Sequence, residues 1–167
     1  EGLVMGTRCG DVDAGALEYL SKKENLDFPQ IMNILNQESG VLGISKNLSS
    51  DFRELKDAEI KYNDTAALAR EIFAYRVAKY IGSYAAAMNG VDNIVFTAGV
   101  GENDSDIREE ICSYLEFLGI TIDEVKNREQ GEAFRISDGA SKINVLVIKT
   151  NEELEIAREA AELVKGL

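Results

Sequence analysis

The 167-residue chain contains no histidine. That absence removes the serine triad, histidine-ligated zinc and any imidazole general base, so chemistry here rests on Arg, Lys, carboxylates or backbone. Cysteine is almost as scarce: Cys9 and Cys112 lie far apart with no CxxC spacing, which suggests neither a metal site nor a disulfide framework and fits a reducing cytoplasm. Positive charge is in deficit, with 18 Lys plus Arg against 30 Asp plus Glu and a net charge of −12. Such a surface repels polyphosphate backbones and anionic lipid, which argues against nucleic acid and membrane as partners. No apolar run reaches the roughly 18 residues of a spanning helix. The opening EGLVMGTRCGDVD also lacks the basic and apolar regions of a signal peptide.

The residues that are present describe an ordinary folded domain. Hydrophobic residues make up 45% and charged residues 29%, with a single proline, Pro29, a composition typical of globular proteins. The length suits one compact domain over residues 1–167. Short helices are expected over Asp13–Leu20 and Phe28–Leu35. An ordered loop is expected over Gly40–Asp51, with Ser50 or Asp51 capping the next turn. From Asp64 to Met88 the residues Leu68, Ile72, Val77, Ile81 and Tyr84 recur near helical spacing. This predicts a long helix capped at Asp64 or Thr65, with Ala85 to Ala87 in its buried last turns.

Two strand-then-helix units come next. Asn93–Thr97 is a β-rich run leading through Gly99 and Gly101 to a helix Ser105–Leu118, capped by Asp104 or Ser105. Asn144–Ile148 precedes Thr150, Asn151 and a helix Glu152–Val164. Apolar strands each followed by an amphipathic helix predict an α/β fold with parallel strands covered by helices. Ile120–Ile122 and Ala133–Ile136 are expected as edge strands around a turn-rich Asp123–Gly131.

In such folds ligands gather where carboxyl ends of strands meet helix starts, which singles out TAGVGEN and KTNEE. Gly99 and Gly101 clear side chains from where a ribose or a flat ring could approach the backbone, and Asn103 offers donors and acceptors; a tight turn explains the same glycines. The loop matches neither GxxxxGK[ST] nor GxGxxG. Glu102, Asp104 and Asp106 crowd the next helix start, so their charge disfavours phosphate there and points to adenosine instead. Glu152 and Glu153 suit a first helical turn by themselves, or one of them supports Mg²⁺; spacing does not choose. Arg8, on a glycine-flanked turn ahead of Asp11 and Asp13, suits a guanidinium held by carboxylates or one that stabilises a transferring phosphoryl group.

Taken together, EGLVMGTRCGD at 1–11, GISKNLSSDFR at 43–53, FTAGVGEN at 96–103 and TNEE at 150–153, with AYRVAKYIGSYAAAMNG at 74–90 between them, resemble the acetate kinase family. The resemblance implies the RNase H-like fold of the actin, Hsc70 and sugar kinase superfamily. It also implies phosphoryl transfer between ATP and a short carboxylate with Mg²⁺, and homodimers. Propionate and butyrate kinases share much of the pattern. The chain then corresponds to the carboxyl-terminal domain, without the amino-terminal domain and its phosphate hairpin, so that the fragment alone is expected to be inactive. By the same resemblance Arg8 matches the transition-state arginine, and Asp51, Phe52 and Arg53 match a nucleotide-contacting segment. Gly99, Val100, Gly101, Glu102 and Asn103 match the adenosine-side loop, Ile107 a wall of the adenine pocket or a core position, and Glu152 the Mg²⁺-supporting glutamate. Ala14 and Lys149 stand where proline is common in the family.

Overall fold

The structure, a computed structural model, describes residues 2–165; Glu1 of the first motif lies outside the described residues. The chain forms two compact units: one runs to Val91 and includes Glu110–Phe117, the other comprises Asp92–Glu109 and the chain from Leu118 onward.

The first unit is helical. Helix α1, Ala14–Glu24, begins where the Asp13 carboxylate accepts from the Gly15 and Ala16 amides, and it stops at Asn25 in the left-handed region. Helix α2, Phe28–Gln37, opens with a capping box between Asp27 and Gln30 and places Pro29 in its first turn, where the missing N–H costs nothing. The loop expected after it contains a short helix, α3, Gly40–Ile44. The sequence hides this turn because two of its five residues are glycine. Helix α4, Phe52–Ile60, is capped by Asp51, and helix α5, Asp64–Ala87, by Asn63 rather than by Asp64 or Thr65.

The buried face of α5 differs from the stripe of large residues. Ala66, Ala69, Ala74 and Ala78 are buried, whereas Leu68 and Tyr84 are 46% and 59% exposed. Helices α3 and α4 pack on α5, and alanine lets helix backbones approach closely. Of the terminal alanines only Ala85 is buried; Ala86 and Ala87 are exposed. The core joins Val4, Val41, Leu55, Ala66 and Ala69, flanked by Ile44, Phe52, Ala58 and Phe73. Phe52 and Phe73 meet edge to face with centroids 4.5 Å apart.

The second unit is built on a three-stranded sheet of order β1-β3-β2, with β1 Asn93–Phe96, β2 Ala133–Arg135 and β3 Asn144–Ile148. Strands β1 and β3 are parallel as expected, Ile94 opposite Val145, while β2 adds an antiparallel edge. The sheet is therefore mixed rather than purely parallel. Ile94, Phe96, Val145 and Val147 are buried and alternate with more exposed residues, the period-2 pattern of a strand with one packed face. Ile122 makes a single bridge to Ser137 instead of an edge strand. The segment after it holds a short helix, α8, Glu124–Asn127.

Strand β1 runs into helix α6, Ala98–Asn103, and then α7, Ser105–Ser113, followed by a 3₁₀ turn at Glu116–Leu118. The helix expected over 105–118 is thus broken at Tyr114. Strand β3 leads to α9, Glu152–Lys165. Every described residue of α9 is exposed, so α9 does not provide the cover expected over the sheet.

Candidate functional site

Arg8 sits at the end of a turn closed by the Met5 amide donating to the Arg8 carbonyl at 3.1 Å, and it is exposed. The turn is fastened to α3: the Ser39, Val41 and Leu42 amides donate to the carbonyls of Thr7, Met5 and Gly6 at 2.9 to 3.0 Å. Helix N-terminal amides need such partners, and here the loop supplies them. Gly40 makes the approach possible. It adopts φ +62°, and a Cβ there would lie 2.3 Å from the Met5 carbonyl oxygen. The two aspartates beyond Arg8 have structural duties that the sequence did not disclose. Asp11 accepts from the Tyr80 hydroxyl at 2.6 Å and pairs with Arg76 at 3.2 Å, and Asp13 caps α1.

A Cβ on Gly6 would come within 3.2 Å of the Ser50 carbonyl, so the Arg8 turn and the 51–53 segment are neighbours within one unit. Asp51 accepts from the Arg53 amide at 2.8 Å and is clasped by the Arg53 guanidinium through Nε at 3.2 Å and Nη2 at 2.6 Å. The Arg53 side chain, reinforced by its amide, holds the Asp51 carboxyl down at about 2. Both groups therefore present full charge at neutral pH, on an exposed surface. Phe52 faces the other way, into the core.

In the second unit the turn after β1 is made by an alanine. Ala98 takes φ +58°, and Gly99 and Gly101 fall inside α6 with ordinary helical backbone. A strand-to-helix elbow of this kind strains a non-glycine residue. A Cβ built on Gly99 would meet nothing within 4 Å. Neither packing nor backbone conformation requires glycine there, and the residue leaves bare backbone facing open space. The Asn103 side chain donates to the Gly99 carbonyl at 2.8 Å.

The two segments singled out at the sheet edge are joined. Glu102 Oε1 accepts from the Thr150 amide at 2.8 Å and from its hydroxyl at 2.9 Å. Those bonds, the amide first, hold the Glu102 carboxyl below its ordinary range. Asp104 is buried and caps α7 through the Ile107 amide, which leaves Asp106 as the exposed carboxylate of the three. The Lys149 amide donates to the Glu132 carbonyl at 2.9 Å, a ladder bond that a proline at this position cannot make. Asn151 starts α9 by accepting from the Leu154 amide, and Glu152 stands exposed in its first turn.

Mg²⁺ fits Glu152 as a single hard oxygen donor on an accessible helix start, since that ion takes one or two carboxylates with substrate phosphates and water. Among the described residues no three His, Cys, Asp or Glu side chains converge into a protein-only cage. Glu102 and Asn103 line a cavity of about 200 Å³ together with Arg108, Asn127, Phe134 and Lys149. Ile107 is 1% exposed and contributes packing.

Two further residues, Arg108 and Asn127, were not singled out by sequence. Arg108 is buried and donates through Nη1 to the Gly101 and Glu102 carbonyls, both at 2.9 Å. The available signal was its place on the stripe Asp104, Ile107, Ile111, all buried. An arginine at such a position needs fixed partners.

The profile of the Acetokinase family matches residues 1–158. The acetate kinase of Lachnoclostridium phytofermentans is 55% identical over 98% of this chain. A crystal structure of Porphyromonas gingivalis acetate kinase superposes with a TM-score of 0.90 at 47% identity over 98% of the chain. A propionate kinase from Francisella tularensis superposes at 0.87 with 43% identity over 95%. The chain spans 41%, 41% and 40% of these three proteins, respectively. The mixed sheet, the elbow after β1 and the matched residues agree: the chain belongs to the acetokinase family and carries the α/β fold of the RNase H-like superfamily's carboxyl-terminal domain.

Proposed function

We propose that this chain is the carboxyl-terminal, nucleotide-holding domain of an acetate kinase that acts as a cytoplasmic homodimer and interconverts ATP plus acetate with ADP plus acetyl phosphate. The observation that carries the reading is the open backbone at Gly99 on α6, in a family of kinases. Bare peptide with no Cβ in front of it suits the flat face of adenine or the edge of a ribose. In the first unit the charged Asp51–Arg53 pair suits polar contact with a nucleotide; in the second, the cavity beside Glu102 and Asn103 gives room next to α6.

Transfer is in line. A carboxylate oxygen attacks the γ-phosphorus, the new O–P bond forms as the bond to the β–γ bridging oxygen breaks, and ADP leaves with that electron pair. Arg8 donates to the equatorial oxygens, whose negative charge is spread in the transition state. Glu152 is the side chain here that would support Mg²⁺, which when bound would supply further charge neutralisation. No proton has to move in this step.

Titrating Mg-ATP into this chain while following heat tests the reading directly. Gly99→Leu leaves the fold intact, because its Cβ meets nothing and leucine is the better helix former, yet it should weaken binding by about tenfold or more. Unchanged affinity removes α6 from the nucleotide site. In the full-length enzyme Arg8→Ala should lower turnover by about a thousandfold or more with little change in nucleotide affinity, and near-normal turnover removes Arg8 from catalysis. The likeness to a propionate kinase supports a longer acyl group as the second reading, and relative kcat/KM for acetate and propionate decides it.

A further inference from the structure

We propose that Arg108, held in place by Asn127, is a positioning residue that fixes the pose of the α6 backbone for the nucleotide; this rests on the nucleotide reading above.

Helix α6 has six residues, too few to hold its own shape. Its first residue, Ala98, is in the left-handed region, a conformation that costs a non-glycine residue energy and persists only where the surroundings enforce it. Its last turn ends in carbonyls that lack helical partners. Arg108 Nη1 occupies that end by donating to Gly101 O and Glu102 O, and a cation there is favourable to the aligned peptide dipoles. The guanidinium is itself oriented from behind: Nε donates to Asn127 Oδ1 at 2.9 Å, and Nη2 donates to the Asn127 carbonyl. Asn127 is fully buried and donates from Nδ2 to Ser105 O at 2.8 Å.

A planar fork with donors in three directions is what this geometry requires, and lysine cannot supply it. Taking a guanidinium out of water is costly. Here its hydrogen bonds reach the carbonyls that set the peptide planes of Gly101 and Glu102, one turn from the open backbone at Gly99. Loosening the fork tilts α6 and spoils the surface offered to the nucleotide.

The test is calorimetric titration of Mg-ADP into the chain and its variants, below the melting temperature of each. Arg108→Lys and Asn127→Ser should each raise the Kd by about tenfold or more, the loss of one or two charge-assisted hydrogen bonds. Val145→Ala, an ordinary core truncation in the same unit, should lower the melting temperature and leave Kd within about twofold. A folded Arg108→Lys with wild-type Kd, or a Val145→Ala that weakens binding equally, overturns the positioning role. If the wild-type chain gives no saturable heat, the nucleotide reading itself fails. If both variants fail to fold, amide exchange of the wild-type chain decides: Asp104 and Asn127 should open in one event that Mg-ADP suppresses, and separate openings overturn the proposal.

Discussion

Glu102 and Thr150, 48 positions apart, share two hydrogen bonds on one carboxylate oxygen. The pair ties α6, at the end of β1, to the turn that starts α9 after β3, and so makes one edge of two segments that the chain keeps apart. Glu102→Ala should free both. We expect faster exchange of the Thr150 amide and weaker nucleotide binding, each by about tenfold; unchanged exchange would show that other contacts hold the edge.

The same pair gives a pH dependence with a definite sign. The folded-state pKa of Glu102 lies below its ordinary value of 4.5. Its contribution is therefore complete above that value and is lost as pH falls through the lower folded value. Thr150 amide protection measured from pH 7 to pH 3 should stay level and then decline in the acid range. A decline centred near neutrality would contradict the assignment.

Asp51 should titrate at about 2 in a carboxyl NMR titration. Arg53→Ala removes the guanidinium, the largest cause, but leaves the amide at position 53 donating to the cap. The pKa should rise toward 3.8 without a change in the helicity of α4. A value unmoved by the substitution would mean that the pair seen here does not form in solution.

Gly40→Ala should destabilise the first unit by about 2 kcal/mol or more, because a positive φ and a backbone clash act together. It should also displace the Met5–Arg8 turn. In the full-length enzyme turnover should then fall more than nucleotide affinity, although residue 40 carries no functional group. Equal stability of the variant and the parent in a urea titration would refute the packing described.

Leu55 is fully buried among Val41, Ala66 and Ala69. Leu55→Ala should cost about 2–5 kcal/mol, the range for a core truncation that leaves a cavity. Thermal melting gives the check, and a loss under about 1 kcal/mol would mean that the site collapses around the gap.

Much of this protein is local, and local features were legible. Asp51 caps α4 as its side-chain chemistry suggests, the first two helices begin close to where their sequence places them, and the apolar runs at 93–96 and 144–148 became parallel neighbours. The segments at 98–103 and 149–152 stand where β1 and β3 meet the following helices, while Arg8 and Asp51 belong to the helical unit. The misleading assumption was that the largest apolar residues mark the buried face. On α5 the alanines are packed and Leu68 is not, because burial depends on which neighbour approaches and how closely. Glycine misled in the same way: Gly99 and Gly101 signalled a turn, yet the turn is made by Ala98 and the glycines lie within a helix.

The order of residues alone was enough for the family, the longer helices, the two parallel strands, and the residue types available for chemistry: no imidazole, one arginine on a glycine-flanked turn, and a glutamate at a helix start. These depend on neighbours in the chain and on hydrogen bonds spanning a few residues. Tertiary packing was needed to bring Glu102 to Thr150, to assign Asp11 to Arg76 and Tyr80, and to turn Arg108 back to α6 while it grips Asn127. Those bonds join residues from 6 to 69 positions apart. Which donor meets which acceptor over such separations is set by the packing of the elements between them.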